Sequence, residues 1–136
     1  MKKLALLAVF AVISLATLGQ AASAAQSTGD FAVAAIDNLT HDFGKIKQGV
    51  PVTHEFTFVN KGKVPMIITN AQPSCGCTVP SWTREPIPPG GSGSVKATFN
   101  AVAVGMFDKS VTVSANTETG VIMLRIKGEV MATTPN

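Results

Sequence analysis

The chain has no tyrosine, one tryptophan, two cysteines and two histidines among its 136 residues, and only 14% of it is charged. Each scarcity closes off a class of function. Eleven Lys plus Arg face eight Asp plus Glu. Setting aside Lys2 and Lys3, which open the chain, leaves nine against eight. Scattered lysines and few aromatics build neither a phosphate-tracking stripe nor a base-stacking platform, so no nucleic-acid partner is expected. No serine lies in a nucleophile-elbow pattern. Gly90-Gly91-Ser92-Gly93-Ser94 lacks the Gly-Lys-Ser/Thr ending of a phosphate loop and precedes a strand pattern, so it reads as a connector.

What is present begins with a leader. Lys2-Lys3 is followed by an apolar run from Leu4 to Leu18 that only Ser14 and Thr17 interrupt, and then by Ala22-Ser23-Ala24. Charged start, short apolar stretch and small-residue exit describe a secretory signal peptide over residues 1–24. The run of 15 residues falls short of the roughly 20 that span a bilayer, so no transmembrane segment is expected after cleavage. No cysteine near the cut invites a lipid anchor. The mature chain is therefore expected in an oxidising compartment, periplasmic or secreted, as part of the bacterial cell envelope.

Beyond the leader the sequence speaks of strands. It holds 13 Val, 7 Ile and 13 Thr from residue 25 onward, against two leucines, Leu39 and Leu124. β-Branched side chains are stiff at χ1 and suit a pleated surface. Gly and Pro recur about every ten residues, the rhythm of short strands joined by turns. Seven segments are predicted as strands: Phe31–Ile36, His41–Ile46, Val52–Asn60, Pro65–Asn70, Ser94–Asn100, Phe107–Ser114 and Val121–Val130. In the third, Val52, His54, Phe56 and Phe58 share one face; in the last, Ile122, Leu124 and Ile126 face in while Val121, Met123, Arg125 and Lys127 face out. Pro73–Pro89 reads as irregular. This predicts an all-β, seven-stranded antiparallel immunoglobulin-like β-sandwich. Its expected layout is an N-terminal linker or edge strand over 25–38, the sandwich over 39–131 and a frayed tail over 132–136. Two cysteines one residue apart cannot staple two sheets, so apolar packing must hold the core.

Ser74-Cys75-Gly76-Cys77-Thr78 is the segment with chemical potential. A bridge between Cys75 and Cys77 requires a backbone bend that brings the Cα atoms within about 7 Å, and Gly76 permits one. Such a short loop barely constrains the unfolded chain, so the bridge adds little stability. The readings that stay open are a structural or simply oxidised pair, a thiol-disulfide redox pair, and a soft-metal site for copper or zinc completed by His54 or His41. A redox enzyme would normally carry two residues between its cysteines at a helix N-terminus, which counts against catalysis. Trp82, beside Pro80 and Pro86, is either an exposed binding aromatic or a lid over the sandwich; the lid is preferred because tryptophan has a large area to bury. His41-Asp42 are adjacent on a strand and point to opposite faces, so they do not form a base and its orienter.

His41-Asp42-Phe43-Gly44, Ile46, Gly49, His54-Glu55-Phe56, Phe58, Asn60 and Gly62 together resemble the opening of the bacterial exported domain-of-unknown-function family 1573. Pro65 to Ile68, Pro73 to Thr78 and Pro88-Pro89-Gly90 match its middle. Phe99, Gly105, Phe107, Val111 to Val113, Asn116, Leu124, Ile126 and Gly128 match its end. The resemblance runs from about Thr40 to Val130. It implies a Hydin and major-sperm-protein type of immunoglobulin-like module with no catalytic residues to carry over. Gly105-Met106 departs from the family's glycine followed by a basic residue, so the resemblance implies no anion site there. The expectation is a non-catalytic binding or scaffolding module with a protein partner in the cell envelope and no cofactor. Cys75, Gly76, Cys77 and Trp82 would form its site, and a copper or redox protein using the cysteine pair is the alternative.

Overall fold

The computed structural model describes residues 30–134, so the proposed leader lies outside the described residues. Eight strands follow one another: β1 (Ala34–Ala35), β2 (Thr40–Lys47), β3 (Val52–Asn60), β4 (Ile68–Pro73), β5 (Thr78–Trp82), β6 (Ser92–Phe99), β7 (Gly105–Ala115) and β8 (Val121–Met131). They form two four-stranded sheets, one ordered β1-β3-β6-β5 and the other β2-β8-β7-β4. No helix occurs among the described residues.

Alternation explains the core. On β3, Phe56 and Phe58 are buried while Thr53, Glu55 and Thr57 are exposed. Val95, Ala97 and Phe99 of β6 face Val111 and Val113 of β7 and Leu124, Ile126 and Val130 of β8 in one cluster. The Phe99 and Phe107 rings stack at 4.1 Å between the layers. Each valine, leucine, isoleucine or phenylalanine among them contributes about 1.5–3 kcal/mol on leaving water. The predicted outward set on β8, Val121, Met123, Arg125 and Lys127, is exposed, and Leu124 and Ile126 are 1% exposed.

Three expectations change. The strand count is eight because β5 lies inside the stretch read as irregular. Pro80 sits in it without cost. Asn100 N–H donates to Cys77 O and Thr83 N–H to Ser94 O, so odd-numbered residues face β6 and Pro80 faces the open side, where no N–H is needed. The sandwich is also not wholly antiparallel: β2 runs parallel to β8. Spacing along the chain cannot reveal this, because the two strands are far apart in sequence. Lastly, the strand expected over Pro65–Asn70 begins at Ile68, with Met66 in an isolated bridge to Ile87.

Two devices fix the ends and edges of the strands. Asn60 is fully buried; its side-chain amide donates to Val64 O and Ile87 O, while its Oδ1 accepts from the Val33 and Gly62 N–H groups. It thereby ties β1 and two loops to the end of β3, with every polar atom satisfied. On the other sheet, β2 carries an irregularity between Asp42 and Lys45, with Gly44 at φ 66°. Opposite it, a Cβ on Gly128 would lie 2.7 Å from Gly44 O and 2.9 Å from the Phe107 ring. Only glycine lets the bulge and that ring approach so closely.

Candidate functional site

The cysteine turn is a corner between sheets. β4 belongs to one sheet and β5 to the other, and the chain crosses between them over residues 74–77. Ser74 is anchored to β7 by N–H donation to Ser110 O at 2.9 Å, and its Oγ accepts from Ser110 N–H at 3.1 Å. Cys77 O is held by Asn100 at the end of β6. Between these anchors Cys75 and Cys77 are joined as a disulfide, with Cα atoms 5.3 Å apart, and Cys77 N–H points at Cys75 Sγ. Gly76 is exposed at the tip. Of the three fates open to the pair, the oxidised one is present, and a bonded pair has no thiolate to offer a metal.

Trp82 does not join the turn at one surface. It lies half-buried at the far end of β5, packed against the core, with the Arg84 guanidinium 3.8 Å over its ring. The indole Nε1 is buried without a partner among the described residues.

The two histidines meet each other instead of the cysteines. His54 on β3 and His41 on β2 belong to different sheets, and their rings stack at 3.6 Å and 5°. Phe43 and Phe56 meet the pair edge-on at 4.6 Å. Burial, and then the neighbouring His41, hold the His54 imidazole below its ordinary value of 6.5, against a smaller opposing pull from Glu55. A second positive charge beside the first is disfavoured, so the stack favours the uncharged form of His54. No group of three or more His, Cys, Asp or Glu side chains arranged for a metal occurs among the described residues. The copper and redox alternatives thus find no support in the geometry.

Sequence reasoning passed over the β6–β7 loop. Val102, Val104 and Met106 are 62%, 54% and 81% exposed, and they share a shallow groove of about 190 Å³ with Cys77, Phe99 and Lys109. The loop is nonetheless held. Gly49 N–H donates to Ala101 O and the Gln48 amide to Val102 O, and Asn100 Oδ1 accepts from Val102 N–H. Ala101 itself is buried at φ 54°, a conformation that costs a non-glycine residue about 1 kcal/mol or more. The Val102-Ala103-Val104 run between two strand patterns was the available signal, since loops seldom carry consecutive apolar residues.

A family model described as "Protein of unknown function (DUF1573)" matches residues 34–130. No curated protein matches the sequence. Among solved structures, a protein of unknown function from Porphyromonas gingivalis W83 superposes with TM-score 0.64 and 16% identity, covering 72% of this chain and 46% of that one. The chain thus spans about half the length of that relative. The ASH / PapD-like domain of human CEP192 gives 0.61 and 12%, over 77% of this chain and 89% of that one. SSP-19 of Caenorhabditis elegans, an MSP-domain-like protein, gives 0.54 and 13%, over 70% and 98%. Identities this low speak for the fold alone: an immunoglobulin-type sandwich.

Proposed function

The chain belongs to the DUF1573 family of unknown function, and on that footing we propose that it is a non-catalytic protein-binding module of the bacterial cell envelope. The observation that carries this reading is the apolar pole formed by Val102, Val104 and Met106 beside Cys77. Apolar side chains exposed together on a loop that is hydrogen-bonded on both flanks form a preorganised patch, and such patches mark interaction sites. The strained backbone at Ala101 supports it, because strain persists where surrounding structure holds a functional conformation. The leader-like residues 1–24 support export. In this reading the Cys75–Cys77 bridge shapes one wall of the patch and takes no part in chemistry.

The test is a photo-crosslinking amino acid placed at Val104 in cells, with the exposed Glu118 as control position. A discrete adduct from Val104 that disappears in a Val102→Asp background is expected. Equal labelling from both positions, or an adduct indifferent to Val102→Asp, would sink the reading.

A further inference from the structure

A second surface, separate from the apolar pole, runs along the edge of β3. β3 pairs with β6 without a register shift from Val52 to Val59, but on its other side β1 covers only Val59 and Asn60. Asn60 N–H donates to Gly91 O, and its own carbonyl accepts from Gly90 N–H, both toward β6. Lys61 N–H donates to Val33 O on the β1 side. Alternation along the strand therefore turns the N–H and C=O groups of Thr53, Glu55 and Thr57 away from β6. Among the described residues no strand meets them.

The other free edges are blunted. β2 bulges between Asp42 and Lys45, β4 shifts register between Ile68 and Asn70 and ends at Pro73, and β5 carries Pro80 on its open side. Natural sheets protect their edges with such bulges and prolines. The Thr53–Thr57 edge has neither.

We propose that the β3 edge from Thr53 to Thr57 receives an extended peptide segment of a partner protein, added antiparallel as a continuation of the line that β1 begins. Main-chain bonds to Thr53 and Glu55 supply the attachment, and alternate side chains supply selectivity. Guest residues facing inward meet the half-buried His41–His54 stack and Phe43, which call for an apolar side chain. The guest residue opposite Glu55 faces outward. Glu55 has Lys96 across from it on β6 and, among the described residues, no strand opposite it on the guest side, so a lysine or arginine fits there.

Charge also argues against a second copy of this chain. A twofold pairing centred on Glu55 sets two carboxylates opposite each other. Centring it on His54 instead brings Pro51, which has no N–H, opposite Thr57.

The experiment selects displayed random peptides on the full-length protein and examines the selected peptides by amide exchange. Peptides that alternate apolar with polar residues, carry a basic residue and slow exchange at Thr53 and Glu55 are expected. Glu55→Pro removes the donor on the guest side while leaving the bonds to β6, and it should weaken binding about tenfold. Because a proline can disturb the strand, Glu55→Lys is measured beside it; this variant keeps the backbone and should exchange the preference for a basic peptide for an acidic one. Val102→Asp should leave peptide binding unchanged, which separates this edge from the apolar pole. Binders indifferent to both Glu55 variants, protection mapping elsewhere, or no binders at all would overturn the proposal. So would edge protection that grows with protein concentration alone, since the occupant would then be a second copy.

Discussion

The two lateral sides of the sandwich are built to opposite specifications. On the β4/β5 side the chain crosses between sheets over residues 74–77, the Cys75–Cys77 disulfide locks the bend, Pro80 silences the edge and Trp82 packs against the core under Arg84. On the β2/β3 side the layers meet through two stacked imidazoles, and among the described residues no strand covers the β3 ladder beyond the short β1. A side that needs no partner can be closed permanently. A side that accepts a strand must keep its backbone groups in water and its inward contacts half-open.

The largest expected effect tests what confines the open side. Asn60→Ala removes four hydrogen bonds around one buried amide and should destabilise the fold by about 3 kcal/mol. In a urea titration a loss under about 1 kcal/mol would mean that β1 is held by packing instead. On the closed side, Trp82→Ala should cost about 2 kcal/mol, less than for a fully buried ring because Trp82 is half-exposed. An unchanged urea midpoint, followed by circular dichroism, would show this packing to be dispensable.

A smaller effect concerns acid. His54 in the folded chain binds its proton less readily than the ordinary value of 6.5 implies, so the unfolded chain takes up that proton first as pH falls. Stability should be complete above pH 6.5, decline below it, and level off once the folded imidazole is also protonated. His54→Gln should flatten that part of the profile; a variant with the same acid dependence would place its origin elsewhere. The smallest effect belongs to the disulfide. Changing Cys75 and Cys77 together to serine closes no long loop and should cost about 1 kcal/mol or less, leaving the crosslink from Val104 in place. A large loss of stability would mean that the corner is what registers the two sheets.

Much of this fold could be read from side-chain alternation. β3 coincides with the predicted Val52–Asn60, and His54 faces inward with Phe56 and Phe58 as its position on the strand requires. β5 escaped because a proline, a tryptophan and a cysteine turn together outweigh a five-residue pattern; only the pairing with β6 makes it a strand. The apolar pole escaped for another reason: the apolar run at 102–104 was visible, but whether it is buried depends on what folds over it.

Period, turn residues and the β-branched excess were enough to settle that this chain forms an all-β sandwich and which faces its strands bury, because these follow from short-range stereochemistry and the drive to remove apolar surface from water. The tertiary structure alone decided that β2 lies parallel to β8, that His41 stacks on His54, and that among the described residues no strand covers the β3 edge beyond β1. Those facts depend on which distant segments become neighbours, and no local pattern encodes that.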